Sequence, residues 1–133
     1  MRREIVGVKF LSQEWAEQIS AALNSSPEFQ SAASAKGVGL QQVVKDAPDG
    51  EVRYYFALEN GDASIALGEL TNPDATVEQS YETAVAMSRG EMGATQAFMQ
   101  GKLKISGNMM KLMQLQEVLG TMPAAVKSVP VDY

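Results

Sequence analysis

Residues 52–67 read VRYYFALENGDASIAL. Val52, Tyr54, Phe56 and Leu58 alternate with Arg53, Tyr55, Ala57 and Glu59, the period-2 pattern of a strand with one buried face. Asn60-Gly61 is the dipeptide that best tolerates the two left-handed residues of a tight hairpin turn. A two-residue turn sets the register: Glu59 faces Asp62, Leu58 faces Ala63, Phe56 faces Ile65 and Tyr54 faces Leu67. The large apolar side chains of both strands then share one face. Upstream, Leu40 to Ala47 reads as a further strand, joined through the turn-forming Pro48-Asp49-Gly50 to give a three-strand meander. Its apolar face requires a cover.

Helical signals lie on both sides of the meander. From Phe10 to Leu23, the residues Leu11, Trp15, Ile19, Ala22 and Leu23 recur at helical spacing, with Ser12 placed as N-cap and Glu14 and Glu17 in the first turns. Ser26-Pro27-Glu28 repeats the start signal and opens a short helix through about Ala35, stopped by Lys36-Gly37-Val38-Gly39. After the meander, Ala75 to Gln79 fits either a strand or a first helical turn, because Thr76 and Gln79 also have capping-box spacing. Ser80 caps a helix from Tyr81 to Met87 or Ser88, ended by Arg89-Gly90, and a short helix around Thr95 to Gln100 stops at Gly101. Lys102 to Ser106 alternates like a strand, Gly107-Asn108 turns, and Met109 to Leu119 is helical until Gly120. Met122 to Val129 forms a last amphipathic piece.

Composition excludes several chemistries. The chain has 133 residues, 45% hydrophobic and 20% charged, enough for one folded domain over residues 1–133 that buries about two-thirds of its surface. It has no cysteine and no histidine, so a disulfide framework, a thiolate nucleophile, a Ser-His-Asp triad and the usual zinc sites cannot form. A net charge of −5 with no basic cluster argues against nucleic acid as a partner. The N-terminal residues reach no sustained apolar run and no stretch approaches the length of a membrane span, so the expectation is a cytoplasmic protein without stable membrane insertion. Gly101-Lys102 fails as a phosphate loop, since Leu103 replaces the hydroxyl residue and Gln96 the first glycine. Gly37-Val38-Gly39 has Gln42 where a dinucleotide fingerprint needs its third glycine. The carboxylates Glu69, Asp74, Glu78 and Glu82 are read as a solvated face, leaving no catalytic residue, metal site or cofactor.

Seven of the eight methionines (87, 92, 99, 109, 110, 113 and 122) fall between residues 87 and 122. Met109, Leu112, Met113 and Leu119 share a helix face, opposite Lys111, Gln114 and Glu117. Unbranched thioethers adapt to irregular apolar shapes, which suits either core gaps or a cavity for variable aliphatic ligands.

The run AFMQGKLKISGNMMKLMQLQ, residues 97–116, resembles the signature of the sterol carrier protein type-2 family, with similarity extending back through Ala75-Thr76-Val77, Ser80-Tyr81-Glu82 and Arg89-Gly90-Glu91. The chain departs from that pattern at Met92-Gly93-Ala94, where the family often has Asp-Pro, and lacks a readable peroxisomal tail. The resemblance implies an α/β (α+β) fold: a mixed five-stranded sheet, helices covering one face, and between them an apolar tunnel for lipid. It also implies that Ala75–Gln79 is a strand. With the residue pattern, it gives an expected lining of Trp15, Ile19, Phe56, Ile65, Phe98, Met99, Ile105, Met109, Leu112, Met113, Leu119 and Met122. The expected activity is non-catalytic binding or transfer of a fatty acid, acyl chain or sterol, with transient membrane or protein contact and with the segment Gly120 to Val129 acting as a lid. The alternative is an interaction module whose apolar groove receives a protein partner.

Overall fold

The structure is a computed structural model that describes residues 7–34, 36–127 and 129–132. In chain order the elements are β1 (Val8–Lys9), α1 (Gln13–Asn24), α2 (Pro27–Ala33), β2 (Val38–Lys45), β3 (Val52–Glu59), β4 (Asp62–Leu67) and β5 (Ala75–Ser80). There follow α3 (Tyr81–Ser88), α4 (Ala94–Met99), β6 (Lys104–Gly107), α5 (Met109–Gln114), α6 (Gln116–Ala125) and β7 (Val131–Asp132).

Five strands form one mixed sheet in the order β4-β3-β2-β5-β6. The β3–β4 hairpin has the register its turn dictates, with Phe56 opposite Ile65 and Tyr54 opposite Leu67. Asn60 and Gly61 adopt φ of 51° and 85°, both left-handed. β2 runs antiparallel to β3 and parallel to β5, so the chain must cross from β4 over β3 and β2 before β5 can pair. Gln41, buried on the face away from the helices, ties that crossing down: its Nε2 donates to the carbonyls of Tyr54 and Gly68, each at 3.0 Å, and its Oε1 accepts from Leu70 N–H at 2.7 Å. Asp74 completes the tie by accepting from Gly39 N–H at 2.7 Å.

The helices lie over the other face. Ser12, Ser26, Ser80 and Asn108 each cap a helix by accepting from a backbone N–H three residues on, as read for the serines. The core gathers Trp15, Ile19 and Leu23 of α1, Phe29 of α2, Leu40 and Val44 of β2, Phe56 and Leu58 of β3, Ile65 of β4, and Leu115 and Val118. α1 also closes the β4 edge of the sheet. Asn24 Nδ2 donates to Ala63 O and its Oδ1 accepts from Ala63 N–H, both at 2.8 Å, while Ser20 Oγ accepts from Ile65 N–H at 2.8 Å. Backbone groups that would otherwise leave an open sheet edge are thereby bonded.

Four features differ from the expectations. Helix α2 ends at Ala33, short of Ala35, which lies outside the described residues, and Val38 and Gly39 open β2 rather than terminate the helix. The expected single helix 109–119 is two helices broken at Leu115, because turning there brings both Leu115 and Val118 into the core. Gly120 therefore does not end a helix but lies inside α6, exposed. Finally, β1 and β7 form a small parallel pair that local pattern does not announce.

Candidate functional site

Strand alternation and register assign the helix-facing side of the sheet residue by residue. At successive levels it carries Ala63, Leu58 and Val38; then Ile65, Phe56, Leu40 and Ala75; then Leu67, Tyr54, Gln42, Val77 and Ile105; then Val52, Val44 and Gln79. The sheet cations Lys45, Arg53 and Lys104 all fall on the opposite face. There Lys45 pairs with Glu78 at 3.1 Å and Arg53 with Glu51 at 2.8 Å. The inner face is thus uncharged along all five strands.

Apolar packing on this face divides in two. The larger cluster holds Trp15, Ile19, Phe56 and Ile65 among its buried members, with Leu112 and Met122 partly buried against it. A smaller cluster at the β6 edge consists of Val77, Ala97 and Leu103, with Met87, Met92 and Ile105 packed on it. The remaining described residues of the expected lining are uncovered: Phe98 is 45% exposed, Met99 79%, Met109 40% and Met113 63%, together with Met110 at 67%. The Leu119 side chain lies outside the described residues. The structure therefore brings together the lining residues from α1 and the hairpin with Leu112 of α5 and Met122 of α6, and leaves those of α4 and Met109 and Met113 of α5 facing outward.

Between the two clusters lies a polar set that sequence reading did not single out. Gln79 Nε2 donates to Gln42 Oε1 at 2.9 Å, and Gln79 is 6% exposed. Tyr54 is the cross-strand partner of Gln42, and the Trp15 ring meets the Tyr54 ring edge-on at 5.2 Å between centroids. Burial raises the Tyr54 phenol well above its ordinary value near 10, and burial is the sole cause. Trp15 Nε1 is buried without a hydrogen-bond partner among the described residues. A glutamine two residues after Leu40, at an inward strand position, was the available signal.

Two surface grooves accompany these features. One of about 440 Å³ lies between α2 and α6, lined by Pro27, Glu28, Ser31, Ala32, Glu117 and Thr121. The other, about 280 Å³, is formed by Thr76, Glu78, Lys104, Ile105 and Ser106 at the β6 edge. Both carry charged groups, so neither resembles the lining an alkyl chain requires. Among the described residues no three carboxylates gather to hold a metal ion, and no helix is long and apolar enough to cross a membrane.

Residues 17–120 match the model of the SCP-2 sterol transfer family, a span that holds the whole five-stranded sheet and most of the helices above it. The chain belongs to this family. Sterol carrier protein 2 of Gallus gallus is 38% identical over 76 residues, 56% of this chain and 14% of that protein. Hydroxysteroid dehydrogenase-like protein 2 of Xenopus laevis is 31% identical over 104 residues, 77% of this chain and 24% of that protein. The SCP-2 chain thus spans a quarter or less of the length of these relatives. A crystal structure of sterol carrier protein 2 superposes with a TM-score of 0.77 at 22% identity, covering 91% of this chain and 99% of that one. This agreement bears out the mixed five-stranded sheet and its helical cover.

Proposed function

We propose that residues 1–133 form one domain that binds and carries a lipid without catalysing a reaction, working in the cytoplasm. The observation that carries this reading is the uncharged inner face of the sheet, which ends at its β6 side in two helices with uncovered apolar side chains. An alkyl chain seated between sheet and helices would lie in an apolar tunnel lined by Trp15, Ile19, Phe56, Ile65, Ile105, Leu112 and Met122, with the uncovered Phe98, Met99, Met109 and Met113 of α4 and α5 at its mouth. Burying methylenes at about 0.8 kcal/mol each provides the binding energy.

Charge supports loading at a lipid surface. Between Met92 and Gln116 there are three lysines (Lys102, Lys104 and Lys111) and no acidic residue, in a chain of net charge −5. Lys102 and Lys104 are both exposed, and Lys102 lies three residues after the uncovered Met99. Apolar side chains rimmed by lysines suit brief contact with an anionic bilayer.

Native mass spectrometry of freshly purified protein, with extraction and identification of what is released, tests the reading. The expected result is a lipid at near one per chain. An apo mass that also takes up neither a fluorescent fatty acid nor a pyrene-labelled alkane would overturn it and point to a protein partner at the α4–α5 face.

A further inference from the structure

Among the polar side chains on the inner face, Gln42 and Gln79 stand out. Two carboxamides face an otherwise apolar floor, at the boundary between its two clusters. Their mutual hydrogen bond uses one Gln79 N–H and one lone pair of Gln42, and an amide pair has more donors and acceptors than that. Next to Gln42 comes the Tyr54 phenol, and next to Tyr54 the buried Trp15 indole whose N–H has no partner. Four neighbouring side chains from α1, β3, β2 and β5 thus carry polar groups on this part of the inner face. Gln79 and Trp15 are each 6% exposed, and Gln42 and Tyr54 between them are half-buried. Of these groups the Trp15 N–H is the buried donor without a partner among the described residues, and burying such a group is costly unless something else bonds it.

We propose that Gln42 and Gln79, flanked by Tyr54 and Trp15, anchor the polar end of a lipid whose head is an uncharged oxygen group, a hydroxyl or ester carbonyl, and disfavour an ionised carboxylate. A hydroxyl both donates and accepts, and an amide pair answers both roles. An ionised head would sit on a face whose strand cations, Lys45, Arg53 and Lys104, all point the other way. It would lose its hydration with no countercharge on this face of the sheet to replace it. From Gln42 the tail runs over Val77 and Ile105 to the β6 edge, two strand spacings or about 10 Å away, and leaves toward the methionines of α4 and α5.

This assignment rests on the carrier reading, and the test separates the two. Hexadecan-1-ol, hexadecanoate and a 3-hydroxysterol are compared by displacement of a bound pyrene-labelled alkane at pH 8, in the natural protein and in Gln42→Leu, Gln79→Met and the double variant. The natural protein is expected to bind the alcohol at least tenfold more tightly than the acid anion. The double variant should lose about tenfold of its affinity for hydroxyl lipids while keeping its affinity for the alkane. Which hydroxyl lipid binds more tightly, alcohol or sterol, names the tail. The anchor is overturned if the acid anion binds as tightly as the alcohol. It is equally overturned if the variants keep the natural alcohol-to-acid ratio while still taking up the alkane, which would make the glutamines structural. Failure of the natural protein to take up the alkane or any of the three lipids would overturn the carrier reading together with the anchor.

Discussion

Gly107 and Ala75 are partners across β5 and β6, and a Cβ on Gly107 would lie 2.7 Å from Ala75 Cα and 2.6 Å from the carbonyl oxygen of Asp74. Gly107 also has φ +108°, a conformation that other residues rarely adopt. The close approach lets Asn108 N–H donate to Asp74 O at 2.7 Å, which fixes where α5 leaves the sheet. Gly107→Ala is expected to cost about 2 kcal/mol or more, from strain and steric overlap together. Gly101, with φ +76° and open space around it, isolates the strain alone, and Gly101→Ala should cost about 1 kcal/mol. Urea unfolding of both variants decides; equal losses would remove crowding as the reason for Gly107.

Asn24 holds the edge strand. Because its amide bonds both backbone groups of Ala63, Asn24→Ala leaves an N–H and a carbonyl without partners where α1 shields them from water. The expected loss is about 1–3 kcal/mol, with faster hydrogen exchange at Ala63 than at residues of β2. Unchanged exchange at Ala63 would mean that water replaces the asparagine at no cost.

How much of this was legible in the chain depends on whether the deciding contact is local. The Phe56–Ile65 register follows from a two-residue turn and alternation, both within a few residues, and it was readable to the residue. Ala75–Ser80 has local signals for two states, and the choice is made by pairing with β2, some thirty-five residues away in sequence. The break at Leu115 belongs to the same class: local pattern favours one helix, whereas burial of Leu115 and Val118 in a distant core favours two. β1 and β7 are two residues each, and nothing local marks them; their approach needs the bare Gly7, where a Cβ would come within 2.6 Å of Pro130. Of the site, the apolar residues could be gathered by periodicity. Gln42 and Gln79 could not be recognised as neighbours before the β2–β5 register was known.

Tyr54 gives the protein an alkaline limit. Its phenol is raised in the folded state relative to an ordinary value near 10, so above pH 10 the unfolded chain releases this proton while the native protein keeps it. The native state then binds more protons than the unfolded one, and stability falls as pH rises; below pH 10 both states hold the proton and the contribution is fully present. Comparing urea midpoints at pH 9 and pH 11 should show a smaller drop for Tyr54→Phe than for the natural protein. The same drop in both would mean that the phenol reaches water when folded.

The end of α6 is placed to act as a lid, although Gly120 lies inside that helix and does not separate it from what precedes. Met122, Ala125, Val126 and Val129 are each only partly buried against the main cluster, whereas Leu115 and Val118, one turn earlier, are closed in. The cover is therefore weakest after residue 120, and short segments with few fully buried side chains open at lower free energy than the core. A chain ending at Gly120 retains Leu115 and Val118 and should exchange a bound pyrene-labelled alkane several times faster than the full chain. A chain ending at Val129 keeps α6 but loses the β1–β7 pair, and it should exchange at close to the full-chain rate. Equal acceleration by both truncations would assign the gate to the β1–β7 pair instead, since α6 is intact in the second; no acceleration in either would place lipid passage elsewhere, at the uncovered α4–α5 edge.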